Sequence, residues 1–427
     1  MDTRAPDRRP RRDTTEVVVI GGGHAGLSVS QLLTAEGRDH VVLERGRVAE
    51  RWRSERWDSL HLLTPNWLTR LPNWHYQGAD QDGFMSAAEF IAYLERYSES
   101  FDAPVVGGAT VRRVSRQGDR FLVNSDAGSW LARNVVIATG PHGRPRVPAG
   151  VDPTLVLPSS DYRNPHDLSP GGVLVIGASS SGVQIADELA RAGREVTLAV
   201  GRHTRMPRQY RGMDAFWWLE STGRLARTID EMTHQRAARR EPSLQLVGRP
   251  GRHDDLDLGT LQRLGVRLVD RVTEISRDGV RLGKDLPATI VEANRRLTAL
   301  LASFDEHASR NGLDRELQPA HGPTALPLPS LVPTSLSLKA ERISTVVTAA
   351  GYRPDYSWLD VPIVDQNGNV RQRRGVTAMP GLYVVGQRFQ HRRDSGFIDG
   401  ARHDAAHVVA HLISRQTSAV ESEEAVR

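Results

Sequence analysis

At 427 residues the chain is longer than one ordinary hydrophobic core, so two or three domains are expected. It contains no cysteine, which excludes disulfides, thiolate metal sites and a redox-active C-x-x-C pair. Its net charge of +5 comes mainly from scattered arginines rather than a basic block, which argues against a nucleic-acid footprint. No apolar run approaches the ~20 residues of a membrane span. The Arg-, Pro- and Asp-rich stretch 1–13 lacks the apolar segment of a signal peptide. These features predict a soluble, cytoplasmic, non-membrane protein with disordered tails at 1–13 and 416–427.

Val17 to Ile20 is a buried-strand run, and Gly21, Gly23 and Gly26 follow in G-x-G-x-x-G spacing. An amphipathic stretch then runs through Leu33 to Gly37, a helix C-cap, and a second apolar run, Val41 to Leu43, ends on Glu44. Each residue type has a physical role. Gly21 permits the tight turn, Gly23 lets backbone approach a pyrophosphate, and Gly26 lets helix and strand pack closely. The helix N-terminus offers free N–H groups to phosphates, and Glu44 is placed to accept hydrogen bonds from an adenosine ribose. Glycines between strand and helix, with an acid ending the next strand, predict a dinucleotide site.

The segment from Arg45 to Pro72 carries Trp52, Trp57 and Trp67. Two readings stay open: these rings line a flavin or substrate cavity, or they pack a loop onto the core. Ala87 to Tyr97 has helical periodicity. Val105 to Asn134 reads as short strands with turns at Gln117-Gly118 and Ala127-Gly128, and Val135 to Gly140 as a strand with a small-residue turn. Val173-Leu-Val-Ile-Gly-Ala-Ser-Ser-Ser-Gly182 repeats the strand, turn and helix, with Gly177, Ser179 and Gly182 in G-x-S-x-x-G register. A nucleophile elbow would need glycine at Ser181, so that reading fails. The next strand ends at Val200 without an acid, and Arg202 follows; an arginine there attracts a ribose 2′-phosphate. The first turn therefore suits an unphosphorylated adenosine and the second NADPH.

Met206 to Arg252 is irregular, basic and aromatic, as a cover over a cavity would be, and Gly259 to Leu282 reads as strands and turns. Ala288 to Asn311 is a strong amphipathic helix, followed by a Pro-rich connector at 318–333. Ile343 to Gly351 and Gly381 to Gly386 are strands, and Phe397 to Ile413 is the last helix. Its His403-Asp-Ala-Ala-His407 imitates a zinc motif, but the shortened carboxylate and the lack of a third ligand favour ordinary helix histidines, and no metal is expected.

Two dinucleotide folds, the second inserted in the first, resemble the flavin-containing monooxygenase-like family, which includes plant indole-pyruvate monooxygenases and bacterial single-component relatives. Gly21 to Gly26 with Glu44, Trp52, Arg56 to Pro65, Ser159 to Pro165, Gly177 to Gly182, Gly351 to Asp355 and Pro380 to Gly386 carry the resemblance. It implies an α/β fold of two Rossmann-like domains. FAD would occupy 14–165 and 341–415, and NADPH 166–340 with an insertion at 284–335. It implies FAD contacts at Gly21, Gly23, His24, Ala25, Gly26, Glu44, Arg45, Trp52, Thr64, Thr139, Gly140, Gly386 and Gln387. NADPH contacts would fall at Gly177, Ser179, Ser181, Gly182, Arg202 and Gly351, with Asn66 as a catalytic counterpart. The family fingerprint F-x-G-x-x-x-H-x-x-x-[WYF] falls on Asp152, Thr154, Pro158 and Tyr162, and only Tyr162 matches it. The activity implied is NADPH reduction of FAD, then dioxygen addition giving a C4a-(hydro)peroxide that oxygenates a small-molecule substrate by N- or S-oxidation or Baeyer–Villiger insertion. An NAD(P)H-dependent oxidase or dehydrogenase on the same fold is the alternative, and a homo-oligomer is compatible with either.

Overall fold

The computed structural model describes residues 12–277, 279–323, 326 and 332–424, and within them the chain builds two parallel sheets of one design. In the first, Val105–Val106, His40–Leu43, Arg12–Ile20, Gly128–Ile137 and Leu382–Val384 lie side by side in that order. In the second the order is Arg267–Asp270, Val196–Val200, Gly172–Ile176, Ile343–Thr348 and Leu157–Pro158. The apolar runs explain the arrangement. Val17, Val18 and Val19 are fully buried, as are Val173, Leu174 and Val175, and a parallel sheet covered on both faces requires such strands. From the middle strand of each sheet the chain turns tightly into a helix, His24–Ala35 in the first and Ser180–Arg191 in the second.

Gly128–Ile137 is long enough to serve two neighbours on one side. Its first half carries the antiparallel meander of Val111–Gln117 and Arg120–Ser125, while Val135 to Ile137 pair with Leu382–Val384. The helix Ile398–Glu424 covers the first sheet, burying Ala401, Ala405, Val408 and Leu412 against Val17, Val19, Val29 and Leu33. In Leu286–Arg310 the stripe of Ile290, Leu297, Leu301 and Phe304 is buried. The carboxylate of Asp270 accepts from Leu286 N at 2.7 Å, so the end of one strand caps the start of that helix.

Some expectations shift. The first strand begins at Arg12 and pairs Arg12 with Ser129 and Asp13 with Trp130, so the last two residues of the expected N-terminal tail belong to the sheet. Residues 1–11 and 425–427 of the expected tails lie outside the described residues, whereas 416–424 continue the last helix. Leu258–Arg263, read as strand and turn, is a short helix capped by Asp257, whose Oδ1 accepts from Thr260 N at 2.9 Å. Residues 324–325 and 327–331 of the Pro-rich connector lie outside the described residues. Among the described residues no helix is long and apolar enough to cross a membrane.

Candidate functional site

At the first turn, Gly21 has φ +112°, and a Cβ there would lie 2.8 Å from Ala138 O; a Cβ on Gly26 would lie 1.9 Å from Gly21 O. Strand, helix and crossover therefore touch through backbone, which only glycine allows. Gly23 is different: a Cβ would meet nothing within 4 Å, so the start of the helix borders open space. Glu44, 7% exposed, accepts from Gly22 N at 2.6 Å and Gly46 N at 3.2 Å, which fixes its carboxylate at the end of the second strand. Gly22 O in turn accepts from Ala49 N at 3.2 Å.

Ala25 packs beneath the turn, and a Cβ on Gly386 would come within 2.9 Å of its Cβ, so Gly386 and Gln387 lie against the helix start. The side-chain nitrogen of Gln387 and Nε2 of His24 are buried without a hydrogen-bond partner. Burial holds the His24 imidazole down at about 4, so it is neutral at pH 7. An open backbone cradle at a helix N-terminus, a fixed carboxylate and two orphaned polar atoms fit a dinucleotide such as FAD. Thr139 and Gly140 (φ +70°) follow the strand end, both partly exposed. Arg45 is exposed and ion-paired with Glu55.

The aromatic segment is mostly packing. Trp57 joins the core of the second sheet, and Trp67 packs against the cluster around Trp218 and Phe304. Trp52 stands edge-on to Phe90 at 4.8 Å, with the Arg56 guanidinium 5.2 Å from its ring centre. Thr64 is partly exposed beside them in sequence. Asn66, expected as a catalytic group, is 3% exposed; its Nδ2 donates to Asp80 O at 2.9 Å and its Oδ1 accepts from Met85 N at 3.0 Å. Both ends of the amide bind backbone, so Asn66 braces this loop.

The second turn repeats the first. Gly177 has φ +110° with its Cβ position 2.7 Å from Ala349 O, and a Cβ on Gly182 would lie 1.8 Å from Gly177 O. Ser179 occupies the helix N-cap without a side-chain cap bond, and Ser181 lies partly exposed in the first turn. Arg202 is exposed, and its Nη2 donates to Arg240 O at 2.9 Å. Arg205 is buried and held by Asp257 and Asn294, so it is committed inside the domain. Gly351 (φ +87°) is exposed at the end of the crossover strand.

Between the two turns, His142 was not singled out from the sequence, while Ser159 and Tyr352 were named only within longer stretches. His142, two residues after Gly140, stands edge-on to Tyr352 at 5.1 Å, and the Tyr352 hydroxyl lies 3.2 Å from Ser159 Oγ. His142 keeps much of its surface exposed yet sits among crowded neighbours. Desolvation first, then the nearby cations Arg56, Arg51 and Arg388, press its imidazole down to about 3. Position after a crossover strand was the available signal, and the spacing of Tyr352 from Gly351 was its counterpart. The segment 206–252, a strap beyond the second strand of the second sheet, is tied to residues 63 and 70. Arg208, fully buried, donates to Leu63 O at 2.8 Å and Asp214 Oδ1 at 2.6 Å, and Arg70 joins Glu220 to Asp399.

Residues 18–215 match the family model described as pyridine nucleotide-disulphide oxidoreductase. A CzcO-like oxidoreductase of Geobacillus kaustophilus is 28% identical over 93% of this chain and 98% of its own length. The rice indole-3-pyruvate monooxygenase YUCCA1 is 29% identical over 66% of this chain and 76% of its own. A flavin-containing monooxygenase from Stenotrophomonas maltophilia shares the fold, with a TM-score of 0.65, 22% identity, and coverage of 94% of this chain and 99% of that one.

Proposed function

We propose that the chain is an FAD- and NADPH-dependent monooxygenase of the flavin-containing monooxygenase-like kind, acting on a small organic molecule. The observation that carries this reading is the duplication: two glycine turns with nearly identical backbone contacts, one next to a fixed carboxylate and the other beside an arginine. FAD fits the first turn, with Gly23 and the helix start at its pyrophosphate and Glu44 at its ribose. NADPH fits the second, with Ser179 to Gly182 at the pyrophosphate and Arg202 at the 2′-phosphate. Bound flavin reduced by NADPH supplies the dioxygen chemistry, and the protein binds, orients and shields.

The residues have matching duties. Trp52, braced by Phe90 and Arg56, supports the flavin-side loop. The strap, anchored through Arg208 to Leu63 and through Glu220 to Arg70, would serve to shield the cofactors from water. His142, neutral at physiological pH, can accept or donate a hydrogen bond there without adding charge. Nucleotide domains at 14–165 with 341–415 and at 166–340 follow from this reading, as does a cytoplasmic site of action, where NADPH and dioxygen are both at hand.

The test supplies the purified chain with FAD, NADPH, labelled dioxygen and a panel of amines, thioethers, ketones and 2-oxo acids. One labelled oxygen in a product, with NADPH consumed in equal amount, is the expected result. NADPH oxidation in which all the oxygen is recovered as hydrogen peroxide and no product carries label would replace the reading with an oxidase.

A further inference from the structure

The second turn is supported by a side chain where the first is supported by a backbone amide, and that side chain comes from the strap. Ala178, between Gly177 and Ser179, is 3% exposed, and its carbonyl lies outside the helical ladder that begins at Ser180. That carbonyl accepts from Gln245 Nε2 at 2.6 Å. Gln245 is fully buried. It is fixed there because Leu244–Gln245 pairs in parallel with Thr204–Arg205, just beyond the end of the second strand at Val200. A carbonyl can only accept, so the amide nitrogen must face it, and this turns Oε1 away, where it is buried without a partner. An apolar residue of the same size would remove that orphaned acceptor. The amide makes sense if its nitrogen is needed at the turn.

We propose that Gln245 is a positioning residue of the second nucleotide site: by holding the Ala178 carbonyl inward it aims the turn and the helix N-terminus at the pyrophosphate of the bound nicotinamide dinucleotide. This rests on the nucleotide reading above and adds a residue to it. The same stretch also faces the first domain. Arg239 Nε donates to Phe389 O at 3.3 Å, Arg388 donates to Glu241 O, and Arg202 donates to Arg240 O. Residues 239–245 thus lie between the second turn and the loop that follows Gly386, and the brace sets the turn relative to the flavin side.

The experiment uses the full chain loaded with FAD, and the variants Gln245→Met and Gln245→Glu. Met keeps the volume and loses the donor; Glu keeps the shape and puts an oxygen against the Ala178 carbonyl. The probes are NADP+, measured by calorimetry, and 2′-AMP, which carries no 5′-phosphate, measured by competition. Both variants should weaken NADP+ roughly 10-fold or more, with 2′-AMP within about twofold of the parent and FAD content unchanged. NADP+ affinity within twofold of the parent in both variants overturns the brace while leaving the nucleotide site standing. Equal losses for the two probes also overturn it, because they would show Gln245 merely holding the domain together. A parent chain that binds no NADP+ removes both the brace and the nucleotide reading.

Discussion

Laid side by side, the two glycine turns agree wherever backbone meets backbone and differ wherever a ligand would sit. Gly21 and Gly177 have φ of +112° and +110°, and their Cβ positions fall 2.8 and 2.7 Å from Ala138 O and Ala349 O. A Cβ on Gly26 or Gly182 would fall 1.9 or 1.8 Å from the carbonyl of Gly21 or Gly177. Outside that frame the sites diverge. Gly22 N finds the Glu44 carboxylate, while the second strand ends without an acid and Arg202 lies beyond it. Gly22 O is held by a backbone amide, and Ala178 O by a glutamine side chain 67 residues away. The lesson is that these glycines report the fold, and the end of the second strand reports the nucleotide.

The largest expected effect tests the shared frame. Gly26→Ala and Gly182→Ala both drive a methyl group into a carbonyl that belongs to rigid backbone. Each should cost about 3 kcal/mol or more in urea unfolding of the respective domain. A large cost at one site and none at the other would break the equivalence.

The next test separates the ligands. Glu44→Gln removes the charge that Gly22 N and the ribose would share, and should weaken FAD roughly 10- to 100-fold without altering the KM for NADPH. Arg202→Ala should do the reverse, raising the KM for NADPH about 10-fold while leaving NADH turnover and FAD content alone. Exchange of these two phenotypes would mean that the assignment of cofactors to turns is inverted.

The smallest effect concerns pH. His24 stands in the first turn where the second has Ser180, and burial depresses its folded pKa from 6.5 to about 4. Unfolded chains therefore bind a proton that the folded chain does not, so stability is full above pH 6.5 and falls as pH drops toward 4. His24→Ser should regain about 1 kcal/mol at pH 5.5 and nothing at pH 8. A gain independent of pH would point to packing instead of charge.

The strand–turn–helix units could be read from the sequence because each rests on neighbours in sequence: Val17 to Ile20 with Gly21, or Val173 to Ile176 with Gly177. Glu44 was legible because a helix and two turns fix its separation from Gly21. The remainder depended on contacts that no local pattern records. The bonds of the Asn66 amide to Asp80 and Met85 cross a loop and leave no local pattern. Gln245 lies in a stretch without periodicity, and only the parallel pairing with Thr204–Arg205 carries it under Ala178. The stretch from Gly259 was read as strands and turns, whereas the Asp257 cap makes Leu258–Arg263 a helix. His142 and Tyr352 come together where Arg144–Pro145 pairs antiparallel with Tyr352–Arg353.

The strand Gly128–Ile137 also sets an order of events. Its second half gains its partner on that side only when Leu382–Val384 arrives, and the face that Val29 and Leu33 pack in part is completed by Ala401 to Leu412. The five strands of the second sheet all lie between Leu157 and Thr348. As the chain leaves a ribosome, the inserted half is complete while Val17, Val19 and Val136 of the half that began first still lack the cover of the last helix. A chain cut short after Thr348 would thus keep its later-made domain and lose its earlier one, with the bared valines free to aggregate.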